Sequence, residues 1–103
     1  MLTSKQRSYL RSLATNEDTI LHIGKGGVTE QLIRQADDAL RARELIKGRV
    51  LEASMLTARE GCQLLAEACR AEPVQVIGSR FVLYRRNDQK PCITLPATGK
   101  PAE

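Results

Sequence analysis

The stretch Ile23-Gly24-Lys25-Gly26-Gly27-Val28-Thr29 decides how the chain divides. Glycine loses more conformational entropy on ordering than other residues, so three of them within four positions carry a cost that a turn or a close backbone contact must offset. Just before them, Thr19-Ile20-Leu21-His22-Ile23 has the β-branched and apolar content of a buried strand. Just after them, Thr29 is an N-cap, Glu30 sits in a first helical turn, and Leu32, Ile33, Ala36 and Leu40 form an apolar stripe to about Arg43. The glycines therefore leave a strand and open a helix.

Working outward, Thr3 or Ser4 caps a short amphipathic helix with Tyr9, Leu10 and Leu13 at helical spacing and Arg7 and Arg11 one turn apart. Downstream of the second helix, Leu45 to Val50 alternates: Ile46, Gly48 and Val50 share one face, and Leu45, Lys47 and Arg49 share the other. Thr57-Ala58-Arg59-Glu60 has capping-box spacing, and Leu64, Leu65, Ala68 and Cys69 carry a third helix to a stop before Pro73. Val74–Ile77 and Phe81–Arg85 form a hairpin around Gly78-Ser79. Pro91, Pro96 and Pro101 leave room for little beyond an edge segment from Ile93 to Leu95.

The order α-β-α-β-α-β-β predicts an α+β two-layer sandwich with a four-stranded mixed sheet. Its strand-helix-strand units join parallel strands by right-handed crossovers, and its closing hairpin is antiparallel. Helices two and three are expected on one face, while the apolar character of strands one and four on both sides predicts that helix one covers part of the other. Residues 1–86 are read as one domain and 87–103 as a tail with a short edge segment, then flexible.

The 103 residues suffice for a core without metal or disulfide staples, and the formal charge of +4 favours an anionic partner. With no run of about 18 apolar residues and no secretory leader in Met1-Leu2-Thr3-Ser4-Lys5-Gln6-Arg7, a cytoplasmic protein is expected. Cys62, Cys69 and Cys92 have no metal-ligand spacing and read as buried or partly buried thiols.

A strand, a glycine turn and a helix start together form a potential phosphate site, because the first N–H groups of a helix lack partners and its dipole is positive there. The competing reading is a turn and nothing more. The Walker pattern is absent, since Lys25 follows the first glycine and no Ser or Thr follows a Gly-Lys pair. The dinucleotide fingerprint is met only at Gly24 and Gly26. The four-residue G-x-x-G loop of the KH module, which clamps a nucleic-acid backbone, fits Gly24 to Gly27.

No catalytic constellation assembles around the single histidine, His22, which reads as a packed neutral ring. Asp37 and Asp38 diverge by about 100° on a helix and suit a polar face. No enzyme activity, cofactor or metal is expected. With Tyr9, Phe81 and Tyr84 as the only aromatics, and Tyr84 read as core, a base-stacking sheet is not expected, so recognition of any nucleic acid would rest on phosphate and sugar contacts, on shape and on some base edges.

Leu2-Thr3-Ser4-Lys5-Gln6-Arg7, the Ile23–Thr29 loop, Glu44-Leu45-Ile46-Lys47 and Val76-Ile77-Gly78-Ser79-Arg80-Phe81-Val82-Leu83-Tyr84-Arg85-Arg86 together resemble the CRM RNA-binding domain in its stand-alone bacterial form, the YhbY type. The resemblance implies a fold like the C-terminal domain of translation initiation factor three, and binding to ribosomal RNA on precursors of the large ribosomal subunit. Gly24, Lys25, Gly26, Gly27 and Lys47 match the family's loop and strand motifs. Lys5, Arg7, Arg11 and Arg49 would extend a cationic surface, although such residues also line any solvated face. Gly48 departs from the β-branched residue usual after Glu-Leu-Ile-Lys, and as a strand glycine it is expected to weaken packing by roughly 0.5–1 kcal/mol relative to alanine. The alternative function is a protein-binding adaptor docking ribosomal proteins or assembly factors through a sheet edge or its basic face; the sequence leaves the oligomeric state open, with a monomer favoured.

Overall fold

Three threonines begin three helices. Thr3, Thr29 and Thr57 precede α1 (Ser4–Ala14), α2 (Glu30–Arg43) and α3 (Ala58–Cys69), and each side-chain oxygen accepts an N–H of the first turn. Capping boxes close α1 and α3: the Gln6 side chain accepts the Thr3 N–H at 3.1 Å, and Glu60 accepts the Thr57 N–H at 2.9 Å. The computed structural model describes residues 2–87, 89 and 93. Among them β1 (Thr19–Ile23), β2 (Leu45–Val50), β3 (Glu72–Ile77) and β4 (Arg80–Tyr84) form one mixed sheet in the order β1-β2-β4-β3. β1 and β2 are parallel, whereas β4 runs antiparallel to both its neighbours. No described helix is long and apolar enough to cross a membrane.

Alternation along the strands creates two apolar faces. On one, Leu21, Ile23, Ile46, Val50, Phe81 and Leu83 meet α2 and α3 through residues such as Leu40 and Leu65. On the other, Leu45, Val74, Val82 and Tyr84 pack beneath Leu10 and Ala14 of α1. Helices lie on both faces, α2 and α3 on one and α1 on the other as expected, so the two-layer description is corrected to three layers. Every residue of β4 after Arg80 is buried, and a strand apolar on both sides needs cover on both. In α1 the buried stripe is Gln6, Leu10 and Ala14, at i, i+4 spacing, while Tyr9 turns outward. Pro73 is accommodated in β3 because that strand is the sheet edge, next to a register shift between Pro73 and Gln75.

Gly48 corrects a second expectation. It pairs directly with Phe81 across β2 and β4, and a Cβ placed on it would lie within 3.0 Å of three atoms of the Phe81 ring. The ring occupies the space that a side chain would need. Phe81 is fully buried, so it has nowhere to retreat.

Polar ties hold the elements' ends. Arg85 reaches back from the end of β4, donating from Nη1 to Asp37 Oδ1 at 2.6 Å and to the Cys69 carbonyl at 2.9 Å, and from Nη2 to the Asp37 carbonyl at 3.1 Å. Arg85 thus ties the end of β4 to α2 through Asp37 and to α3 through Cys69, whereas the polar-face reading suits the exposed Asp38. Glu44 is fully buried, and its carboxylate accepts the N–H groups of Asn87 at 2.6 Å and Ile93 at 2.7 Å. Ile93 packs against the α1-side core; Cys92 and the remainder of the expected edge segment lie outside the described residues. Cys62 and Cys69 are buried, and burial raises both thiols, Cys62 to about 11.

Gly48→Ala should destabilise the fold by about 1–3 kcal/mol in chemical denaturation, as overpacking does, despite alanine's smaller entropic cost. Asp37 offers a pH test. The hydrogen bond from Arg85 holds its carboxyl below the ordinary value of 3.8 against the opposing effect of burial, aided by the charges of Arg85 and Arg41. The ionised form is thereby favoured by folding, so its stabilisation is full above the unfolded carboxyl's value and is lost as pH falls through the folded one. Thermal melts of Asp37→Asn should show a lower Tm at neutral pH and a shallower decline below about pH 4 than wild type.

Candidate nucleic-acid interface

β1 ends where the Ile23 carbonyl accepts the Leu51 N–H at 2.8 Å, fastening it to the exit of β2. The Gly27 N–H then donates to the Gly24 carbonyl at 3.0 Å, closing a four-residue turn with Lys25 and Gly26 exposed at its tip. Gly27 has φ +72°, a left-handed conformation that explains its identity. The other two glycines have no such reason. A Cβ on Gly24 would lie 3.8 Å from Leu51 Cδ1, and one on Gly26 3.5 Å from Thr29 Cγ2, both ordinary contacts.

α2 starts immediately beyond the turn. Thr29 Oγ1 accepts the Leu32 N–H at 3.1 Å, and the Ile33 N–H opens the helical ladder to the Thr29 carbonyl. The N–H groups of Glu30 and Gln31, in the same first turn, have no acceptor within the helix and face the positive end of its dipole. Glu30 adds an exposed carboxylate at this end, and exposed Lys25 a cation in the turn before it. A shallow groove runs from the turn between β1 and α2, lined by His22, Gly24, Gly26, Thr29, Gln31 and Gln35.

His22 is exposed, which corrects the packed-ring expectation. β1 is an edge strand, and the apolar cluster under α1 draws on β2, β3 and β4, so the outer face of β1 stays open. Tyr84 is core, as expected.

Strand register sets the cations. Arg49 is opposite His22 on one side and Arg80 on the other, and Lys47 is opposite Thr19 and Val82. Lys47, Gln75, Ile77, Ser79 and Arg80 line a shallow depression on the same sheet face. Arg80 was not among the residues expected from the sequence, because only the pairing of β4 with β2 shows that it neighbours Arg49. Lys5, Arg7 and Arg11 stand on α1, a separate element packed over Leu45, Val74, Val82 and Tyr84, and no described hydrogen bond or ion pair links them to the turn or strands. The expected residues thus fall on two elements: Gly24–Gly27, Lys47 and Arg49 on the sheet and its end, and Lys5, Arg7 and Arg11 on α1, which packs on the sheet face that carries Lys47 and Arg49. Among the described residues, Lys25, Lys47, Arg49 and Arg80 take part in no ion pair, unlike Arg41, Arg43 and Arg85.

A strand-turn-helix with an open glycine tip, on a mixed sheet carrying helices on both faces, defines a domain class that comparison identifies. Residues 2–85 match the CRS1 / YhbY (CRM) domain, and the chain belongs to that family. It is 41% identical over 96 residues to the "Probable RNA-binding protein YqeI" of Bacillus subtilis, covering 93% of this chain and 100% of that one. An "RNA-binding protein" of Haemophilus influenzae is 32% identical over 88 residues, covering 85% and 89% of the two chains. The solution structure of the Staphylococcus aureus protein SAV1595 superimposes with a TM-score of 0.78 at 52% identity, covering 93% of this chain and 100% of that one.

The glycines can be separated by stability alone. Gly27→Ala should cost about 1–2 kcal/mol in denaturant unfolding, because alanine is strained at this φ. Gly24→Ala and Gly26→Ala should be neutral or slightly stabilising, since each removes backbone freedom from the unfolded chain without a clash.

Proposed function

We propose that this is a non-enzymatic RNA-binding protein whose glycine turn holds RNA phosphates, and that its RNA is ribosomal, on precursors of the large subunit. One observation carries the turn assignment: within the turn the backbone requires glycine only at Gly27, yet Gly24 and Gly26 leave the backbone bare where a Cβ would fit. Bare backbone permits close approach of a phosphate to N–H groups, in the manner of the KH loop, and exposed Lys25 adds a full charge beside the start of α2. Lys47 and Arg49 supply further cation on the adjoining sheet, with Lys5, Arg7 and Arg11 on α1. The names of the relatives support RNA as the partner. The ribosomal assignment rests on the resemblance to the stand-alone bacterial type. Burial raises the Cys62 and Cys69 thiols, which disfavours the thiolate that a nucleophile needs. In this reading residues 1–86 are the RNA-binding domain of a cytoplasmic protein.

Gradient sedimentation of cell extract, with RNA crosslinking and sequencing, tests the reading. Wild type should travel with large-subunit precursors and crosslink to their RNA, and Gly26→Asp should lose both while keeping its circular dichroism spectrum. Co-sedimentation that survives ribonuclease would instead favour a protein-docking adaptor. Lys25→Ala should lower the salt dependence of RNA binding by about 0.7–0.9 in log–log slope, the share of one phosphate. An unchanged slope would remove Lys25 from the contact.

A further inference from the structure

Arg49 and Arg80 are direct cross-strand partners on the sheet's second face, and neither is neutralised by an ion pair among the described residues. Like charges placed directly opposite one another destabilise a sheet. Glu52 lines the same hollow as Arg49 without forming an ion pair with it. The backbone positions of the pair are fixed. Gly48 and Phe81, the preceding pair in the register, are locked by the ring's fit over the glycine, and the Val50 N–H holds the Ser79 carbonyl at 2.7 Å on the other side. Two like charges whose Cα positions are held opposite one another gain from an anion that both side chains can reach. Cross-strand Cβ atoms stand roughly 4.5–5.5 Å apart, which lets two guanidinium groups converge on one phosphate.

The row continues to the turn. His22 neighbours Arg49 on β1 and also lines the groove beside Gly24 and Gly26, so the exposed side chains step from groove to sheet over two strand spacings, about 10 Å. Lys47 and Ser79 flank the far end of the row in a depression shared with Arg80.

We propose that Arg49 and Arg80 form a second phosphate site gripping one phosphodiester between them, and that bound RNA runs from the glycine turn past His22 and across the sheet to β4. This rests on the RNA-binding reading above and adds a residue, Arg80, and a path. The chemistry selects an RNA backbone because consecutive phosphates can satisfy turn and pair together.

The test uses Arg49→Gln, Arg80→Gln and the double variant, with an in vitro transcript of large-subunit ribosomal RNA as probe and binding followed over a KCl series. Each single variant should weaken binding several-fold. The double variant should lower the log–log salt slope by about 0.7–0.9, one phosphate's share, with losses less than additive because both guanidinium groups serve the same phosphate. Without RNA, Arg80→Gln should raise Tm by about 1–4 °C as repulsion is relieved, an effect that loss of a structural contact would not give. An unchanged slope in the double variant, with binding still abolished by Gly26→Asp, would overturn the pair while leaving the turn standing. A fully additive loss of two phosphates would overturn the shared grip. Retained RNA affinity with lost co-sedimentation would assign the row to an acidic protein surface and overturn the proposal. Failure of wild type to bind the transcript would overturn the RNA reading and this inference together.

Discussion

The contact between Phe81 and Gly48 organises the molecule. β2 and β4 are the two central strands, and the ring lies over the glycine in the middle of their pairing. A one-residue slip between them would turn every side chain of β4 to the wrong face, sending Leu83 away from α2 and α3 and Val82 and Tyr84 away from α1. The same registration aligns Arg49 with Arg80. Two cores and the cationic row therefore depend on one aromatic ring finding no Cβ beneath it.

The glycine turn illustrates a division between shape and access. Gly27 supplies the backbone conformation that swings the chain from β1 into α2, and Thr29 then caps the helix. Gly24 and Gly26 contribute nothing that alanine would not, as far as the turn is concerned. In the proposed function their value lies in what they omit. The Leu51 N–H, by fastening the end of β1 to the chain beyond β2, keeps this tip beside the sheet that carries Lys47 and Arg49.

Two polar joints, one buried and one partly buried, explain how the remaining ends are held. Glu44 has φ +66°, an unfavourable backbone for a residue with a side chain, and it terminates α2 just before β2 begins. Its carboxylate offsets that strain by taking two N–H groups from the chain beyond β4, while its own carbonyl takes the Arg85 N–H at 2.9 Å. Arg85 then spans to Asp37 and the end of α3. One helix C-terminus thus anchors the segment that follows the last strand.

The sequence alone determined the elements and much of the turn. Threonine caps, 3.6- and 2-residue periodicities and the Gly78-Ser79 reversal are local signals, and so all seven elements were legible from spacing, as was the cluster at Gly24–Gly27. Only tertiary structure decided the rest, because each remaining feature depends on which residues become neighbours across the sheet. The exposure of His22 follows from β1 being an uncovered edge, and the fit of Gly48 from an aromatic partner more than thirty positions away. The joining of Asp37 to Arg85, the burial of Glu44 and the pairing of Arg80 with Arg49 likewise cross between distant segments. Periodicity tells which face a side chain takes on its own strand; pairing register, set by the packing of whole layers, tells what it meets there.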